Sequence, residues 1–284
     1  MNANINDNHE NSINNGSDKK KYVTVIIGAG MSTAAGIPAF RGKGGSWTTS
    51  TDVRDAFNLS TFNSKPKMRA LLWEWLAKSP AWEAEPTPAH YALKRLADSK
   101  QLLGVFTQNF DGLEKKTGIN PDLIHYLHGN MFTSSCQRCG HKYDTRELCE
   151  QFMSSYDKDT GKYENDMLCH VSNPKKYNKT TGSYGRDCLG VIKPNIIFFE
   201  EQLDRHVMHA LDECITWTDE LWVIGSSLQV YPVADIPKKA LALGRKVRII
   251  TKSTTPFERD VRADCIHDDI QTVVPELVNQ ILNT

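Results

Sequence analysis

No stretch of eighteen consecutive apolar residues occurs in the 284-residue chain, so the sequence predicts no membrane-spanning helix. Surplus charge of either sign is also missing, since 34 Lys and Arg balance 34 Asp and Glu. That balance gives no global electrostatic footprint for nucleic acid or an anionic membrane, and neither is expected as a direct partner. The first residues are rich in Asn and Asp, with no apolar stretch and no arginine-rich amphipathic pattern. They read as neither a secretory signal nor a mitochondrial presequence, which leaves nucleus or cytoplasm by elimination. No internal repeat is found. Cysteines number seven, an odd count that in a reducing compartment suits metal binding better than disulfides.

At 39% apolar the chain can bury one large core, or a large domain carrying a small one. Residues 1–18 are Asn, Asp, Ser and Gly with little to bury and read as a disordered tail, with Lys19, Lys20 and Lys21 as its solvated end. Beyond it, apolar runs at Tyr22–Ile27, Leu102–Phe106, Leu123–Leu127, Asn195–Phe199, Leu221–Ile224 and Val247–Ile250 read as strands. Helical period marks Lys67–Lys78, Pro88–Asp98, Leu203–Thr216, Ala234–Leu243 and a final helix at Ile270–Leu282. This alternation predicts an α/β fold with a doubly wound, Rossmann-like parallel sheet over 21–135 and 189–284, whose ligands sit at the carboxyl ends of strands. The stretch 136–188 breaks the pattern. Poor in aliphatic residues, it reads as a smaller inserted module that needs a staple.

Gly28, Gly30 and Gly36 follow the first apolar run with spacing G-x-G-x5-G. Glycine there permits a tight turn and close backbone approach, so that N–H groups and a helix N-terminus can face a pyrophosphate. As a bare pattern it is equally a strand-to-helix turn.

Cys136-Gln137-Arg138-Cys139 is a C-x2-C knuckle followed by Gly140, which suits a turn aiming two thiolates at one zinc ion. Cys169 and Cys188 supply a second, wider pair if the polar KKYNKTTGSYG stretch (175–185) loops out. Cys149, His141 and His170 compete as ligands, and free thiols are the plainer alternative. Four thiolates would leave no open position for water, so the expected zinc is structural. Cys214 and Cys265 read as small core residues.

Two further strand ends carry polar groups: Gln108-Asn109-Phe110-Asp111-Gly112 and His128-Gly129-Asn130. An amide with a carboxylate can hold a carboxamide and a ribose hydroxyl, while imidazole suits proton abstraction near neutrality. A structural histidine beside an ordinary Asn-x-Asp-Gly turn is the competing reading.

Taken together, the string GAGMSTAAGIPAFRG from Gly28, the Gln-Asn-x-Asp motif, the His-Gly segment and Gly225-Ser226-Ser227-Leu228-Gln229-Val230 resemble the sirtuin family of NAD-dependent protein-lysine deacylases. The resemblance runs from Lys21 to the C-terminus, and FRGKGGSWT and LHGNMF look most like the branch of nuclear, chromatin-directed members. It implies that NAD is co-substrate, with pyrophosphate on the loop from Gly28 through Ala29 and Gly30 to Gly36. Asp111 and the backbone near Ile37 would grip the nicotinamide carboxamide; Asn109 with Ser32 would position the nicotinamide ribose. Gln108, Arg41 and Thr251 fall among the cofactor-binding positions, Gly225, Ser226 and Ser227 would hold phosphate and ribose, and Phe40 and Trp47 would shield the reacting centre. The acyl oxygen of a modified lysine attacks C1′, nicotinamide leaves, His128 acts as general base on a ribose hydroxyl, and the acyl group passes to ADP-ribose. The catalytic residues implied are His128 and Asn109, the zinc ligands Cys136, Cys139, Cys169 and Cys188, and the partner an acylated protein or peptide, histone tails included, added as a strand.

Three positions depart from the family pattern: Ala39 stands in place of Asp, Glu200 in place of Gly, with its side chain expected in solvent, and Thr251 in place of Asn. Loss of the carboxylate at 39 predicts a slower deacylase. Leu76 and Ser79 occupy the positions of the Tyr-x-x-Arg pair found in members that prefer acidic acyl groups, which disfavours such groups here. Protein ADP-ribosyl transfer or NAD hydrolysis is the alternative chemistry, and an NAD-binding sensor or scaffold the alternative without turnover. The glycine spacing, and the lack of an acidic residue clearly at the end of a second strand about twenty residues on, argue against a conventional dehydrogenase.

Overall fold

The computed structural model describes residues 20–41, 44–171, 177–178, 183–184 and 188–283. The expected tail over 1–18, Lys19 of the lysine triplet and most of the 175–185 loop lie outside the described residues.

The strands that position the site are β1 (Val23–Ile27), β2 (Leu102–Thr107), β3 (Ile124–Tyr126), β4 (Gly129–Cys136), β5 (Lys142–Asp144), β6 (Ile192–Ile196), β7 (Glu220–Ile224), β8 (Lys246–Ile250) and β9 (Ala263–Ile266). The helices are α1 (Ser46–Thr49), α2 (Thr51–Ala56), α3 (Leu59–Ser64), α4 (Pro66–Ala77), α5 (Pro88–Asp98), α6 (Leu113–Lys116), α7 (Thr145–Ser154), α8 (Arg205–Trp217), α9 (Ile236–Ala242) and α10 (Ile270–Leu282).

Six strands form one parallel sheet in the order β9-β8-β7-β1-β2-β3. Every residue of β1 is buried, as a strand covered on both faces requires. Val25 and Ile27 face the layer of α5 and α10 together with Val105, Trp222 and Ile250. Ile26 faces the opposite layer of α8 and α9 with Phe106, Leu221, Val223 and Ile249. Proline at the first position and a Thr87–His90 capping box start α5, and Asp269 caps α10 by accepting from the Gln271 amide at 2.8 Å. Strand order reverses at β1, so the doubly wound arrangement has its crevice between the ends of β1 and β7.

The Asn195–Phe199 run does not join this sheet. Its first two residues end β6, which pairs antiparallel with β4, and β4 with β5, in a separate three-stranded sheet. An apolar run reports burial, not partner, and here the burial is against a second core built by α2, α3, α4 and α7, with Phe62, Trp73, Leu76, Phe152 and Ile196 inside it. The cysteine segment sends Cys136, Cys169, Leu148 and Phe152 into that same core, where α4 supplies the aliphatic and aromatic surface the segment lacks. Cys149 does lie on a helix, α7. Cys214 and Cys265 are half-buried, not core. β9 carries no apolar alternation to announce it; it is held at the sheet edge partly through Asp264, which accepts from Arg248 of β8 at 2.8 Å. Among the described residues no helix is long and apolar enough to cross a membrane.

Candidate active site and cysteine cluster

Two glycine loops interlock where β1 and β7 end. Gly28 N donates to Ile224 O at 2.8 Å and Gly30 N to Gly225 O at 2.9 Å. Gly225 has φ +67°, and a Cβ there would stand 2.4 Å from Met31 N; one on Gly28 would stand 2.7 Å from Gly225 O. The glycines are therefore required by loop-to-loop contact, and the amides of 28 and 30, expected to face a pyrophosphate, are used by neighbouring carbonyls. The turn continues as a 3-10 helix, Ala29–Ala35, ended by Gly36 at φ +83°. Gly36 lines neither cavity of the site.

A cavity of about 1080 Å³ runs along the strand ends. Gly28, Ala29, Gly30, Gly225, Ser226, Ser227 and Thr251 line one stretch of it, and Phe40, Arg41, Trp47, Gln108, Asn109 and His128 another. Its size exceeds what a single-ring ligand needs and is enough for an extended dinucleotide. A second cavity of about 290 Å³ shares Ala29, Phe40, Asn109 and Phe110 with it and adds Ser32, Ile37 and Asp111. The sequence-derived residues, Gly36 excepted, thus meet at two adjoining hollows.

Their side chains are held from behind. Asn109 Nδ2 donates to Gly28 O and to Ser32 Oγ, each at 3.2 Å, which ties the end of β2 to the glycine turn. Ser226 Oγ donates to Gln108 Oε1 at 2.6 Å, linking β2 to the β7 loop. His128 Nδ1 lies 3.0 Å from Gln108 O. Burial pushes the His128 pKa below its ordinary value, partly opposed by that carbonyl, so the ring is neutral at physiological pH. Nδ1 then carries the proton and Nε2 is left as the acceptor. Asp111 is buried, which raises its pKa, while the Leu113 amide and the Ser32 hydroxyl counter the rise. Phe40 stands 4.8 Å from Trp47 and 5.5 Å from Phe110 between ring centres, and Trp47 is 5.5 Å from Phe199. Arg41 sits 5.1 Å over the Trp47 ring. An aromatic cluster therefore lines the same cavity as the imidazole.

Of the three departures, Ala39 lines the larger cavity and offers only its carbonyl, which accepts from Ser46 N at 2.9 Å. Glu200 has φ +78°, the left-handed region that glycine favours, and is exposed, but its carboxylate is engaged by Asn58 Nδ2 at 2.8 Å and Ser60 N at 3.0 Å. Thr251 is buried, and its Oγ1 accepts from Ser253 N at 3.3 Å. Ser79 lines the smaller cavity, whereas Leu76 is enclosed in the second core. Sequence reasoning missed Lys252, Ser253 and Thr254, which line the cavity after β8 and which the strand-end rule could have found. The segment from Ile197 to Leu203, which includes the loop after Asn195–Phe199 expected beside the peptide, forms another wall of the cavity, brought in by Ile197 N donating to His128 O at 2.9 Å.

Cys136, Cys139, Cys169 and Cys188 bring their sulfurs within 4.8 Å of one another; Cys136 and Cys188 are 3.6 Å apart, Cys139 and Cys169 3.7 Å. Tetrahedral zinc with bonds near 2.3 Å sets sulfurs about 3.8 Å apart, so the tetrad fits a structural zinc ion. Arg138 N and Cys139 N donate to Cys136 Sγ at 3.3 and 3.4 Å, and Tyr143 Oη to Cys169 Sγ at 2.9 Å. Burial raises the Cys136 pKa, but these amides and the neighbouring thiols outweigh it and bring it to about 7, while Cys139 and Cys169 are raised, so the fit to zinc rests on the sulfur spacing. His141, His170 and Cys149 are outside the cluster.

A family model described as the Sir2 family matches residues 28–232. The chain is 30% identical over 264 residues to "NAD-dependent protein deacylase 2" of Pyrobaculum aerophilum, covering 92% of this chain and 91% of that protein. It is 33% identical over 240 residues to "NAD-dependent protein deacetylase" of Bacillus subtilis, covering 82% and 85%. Among solved structures, a Sir2 protein with a deacetylated p53 peptide and 3′-O-acetyl-ADP-ribose superposes with a TM-score of 0.75 at 26% identity, covering 92% of this chain and 94% of that one.

Proposed function

The chain belongs to the Sir2 family, and from that premise we propose how its residues divide the work of an NAD-dependent protein deacylase. The reaction passes an acyl group from lysine to ADP-ribose and releases nicotinamide. The observation that carries the residue assignment is the meeting of Asn109, Ser32 and His128 at the junction of the two cavities. Nicotinamide occupies the smaller cavity beside Ser32, Ile37 and Asp111, and the rest of NAD follows the larger one past Gly28, Ala29, Gly30, Gly225, Ser226, Ser227 and Thr251. Gly36 serves the turn alone. Asn109, fixed through Gly28 and Ser32, orients the ribose. His128 takes a proton from a ribose hydroxyl at Nε2, and Phe40 with Trp47 keeps water from the oxocarbenium-like centre.

The acylated peptide, histone tails included, lies as a strand between Ile197–Leu203 and the Gly225–Tyr231 loop. Leu76 and Ser79 stand where members that prefer acidic acyl groups carry a Tyr-x-x-Arg pair, which disfavours such groups here. The lack of a carboxylate at 39 slows the reaction, and nucleus or cytoplasm is the proposed location. We also propose the division into an NAD-binding domain at 21–135 and 189–284 and a zinc module at 136–188.

The test is nicotinamide release from NAD with and without an acetyl-lysine peptide, with His128→Ala as control. Peptide-dependent release that the variant abolishes is the expected outcome. Release without peptide would replace the reading with ADP-ribosyl transfer or hydrolysis; NAD binding without release would make the protein a sensor or scaffold.

A further inference from the structure

Glu114, one turn beyond Asp111, is only 1% exposed, and neither of its carboxylate oxygens has a hydrogen-bond partner among the described residues. The Thr107 side chain and the Glu114 amide act on the carboxyl from outside hydrogen-bond geometry and oppose part of the effect of burial. Thr107 Oγ1 accepts from Asn109 N at 3.1 Å, so the buried carboxyl stands behind the residue that binds ribose in the proposed function. Asp111 is equally enclosed at 5% exposure and lines the smaller cavity. Among the described residues no cation pairs with either. Lys116, on α6, acts on Asp111 only at a distance: its ammonium donates to Ala84 O at 2.6 Å and lies 4.0 Å from Glu85. From β3, Tyr126 faces the pair, while His125 stacks on Phe106 on the other side of the sheet. Two carboxylates in so dry a place cannot both be charged without a counter-ion.

We propose that Glu114 and Asp111 form a one-proton carboxyl pair under the nicotinamide end of the site, with Glu114 as the positioning residue that stays neutral and leaves the single charge on Asp111. The proposal rests on the reading of Asp111 as the group that grips the nicotinamide carboxamide. A lone charge on Asp111 accepts from the carboxamide NH2; a second charge on Glu114 repels it and disturbs Thr107 and Asn109. Burial, with Asp111 second, raises the Glu114 pKa to about 8, so the second charge appears as pH passes that value. Tyr126, pushed to about 12 by burial and then by the pair, stays neutral across that range.

The test compares the wild-type protein with Glu114→Gln, which cannot ionise, using exchange of labelled nicotinamide into NAD and thermal unfolding between pH 5 and 9. Wild-type nicotinamide affinity is expected to fall above pH 8 with a slope approaching tenfold per unit, and the variant's to stay flat. A group with raised folded-state pKa contributes stability that is present below its unfolded value and lost as pH rises to the folded one. The variant's melting temperature should therefore gain on wild type from about pH 4.5 to 8 and keep a constant lead above. Parallel profiles in both measurements overturn the pair. A widening melting gap with exchange indifferent to Asp111→Asn keeps the neutral Glu114 but removes its link to nicotinamide, which is failure of the functional reading. If the glutamine variant does not fold, infrared absorption of carbon-13-labelled glutamate in wild type at pH 7 decides: a protonated-carboxyl band supports the pair, and its absence overturns it.

Discussion

His128 and Gln108 are joined by a 3.0 Å contact from the imidazole Nδ1 to the backbone oxygen at the end of β2. The contact spans two parallel strand ends, so the sheet itself fixes both the tautomer and the direction of Nε2. A base positioned in this way needs no partner carboxylate.

Burial lowers the His128 pKa below its ordinary value, and the ring must be neutral to accept a proton. Deacylation should therefore be lost as pH falls through that lowered value, placing the acid limb of kcat/KM below pH 6.5. Replacing His128 with Ala should cost about 100- to 10,000-fold in rate with NAD binding retained. A pH–rate profile with isothermal titration of NAD checks both; an acid limb above 6.5 would contradict the burial argument.

Ala39 lies on the cavity wall next to Phe40, with no polar side-chain atom to contribute. Restoring the carboxylate by Ala39→Asp should lower the barrier by roughly 2–4 kcal/mol, the scale of one preorganised polar group, or about 30- to 1000-fold in kcat. An unchanged or reduced kcat would show that this pocket has adapted to the alanine.

The interlocked glycines make a sharper structural prediction. Gly225→Ala places a Cβ 2.4 Å from Met31 N at φ +67°, so both the backbone conformation and the loop contact resist it. A loss of at least about 2 kcal/mol is expected together with weakened NAD binding, while an alanine in the exposed αL cap at Gly36, with nothing within 4 Å, should bear only the backbone strain of about 1 kcal/mol. Denaturant melts of the two variants test the contrast.

Much of this was legible beforehand, for reasons that differ by element. Pro88–Asp98 and Ile270–Leu282 were readable because helical period, a starting proline or aspartate cap, and chain context agree. Polar motifs following strands were readable as a site because parallel sheets collect their ligands at carboxyl ends. Asn195–Phe199 was assigned to the wrong sheet, and the strand actually lies at Ile192–Ile196, since a run such as VIKPNIIFF carries no information on which sheet it joins. Glu200 in a left-handed turn and the burial of Glu114 were hidden for the same reason: φ and enclosure are set by residues distant in sequence.

Three of the four cysteines, Cys136, Cys169 and Cys188, sit in the core that includes α4, with Cys139 exposed, so zinc should stabilise more than its own loop. Chelation at neutral pH, or Cys169→Ala, should release one zinc per chain and lower the melting temperature by more than the loss of a buried methyl-sized group would, with loss of the near-ultraviolet signal from Trp73 and its neighbours. Zinc content by atomic absorption alongside circular dichroism provides the check; a chain that keeps its melting temperature without metal would reduce the tetrad to free thiols.

Lys193 ties the peptide side of the site to its core. Its ammonium lies 2.9 Å from Glu201, donates to Ile196 O at 2.7 Å and Pro194 O at 3.1 Å, and stands 4.2 Å from the centre of the Phe198 ring. Glu201 in turn accepts from Phe198 N at 2.7 Å, so one ion pair closes the turn that forms the Ile197–Leu203 wall. Burial lowers the Lys193 pKa and Glu201 counters it, which makes the partner necessary to the charge. Lys193→Met leaves that carboxylate unmatched and should cost about 2–4 kcal/mol, less than a fully enclosed pair would because Glu201 is 27% exposed. If this wall takes the peptide as proposed, KM for the acylated peptide should rise several-fold while KM for NAD changes little. An equal rise in both would mean that the turn supports the whole crevice and not its peptide side.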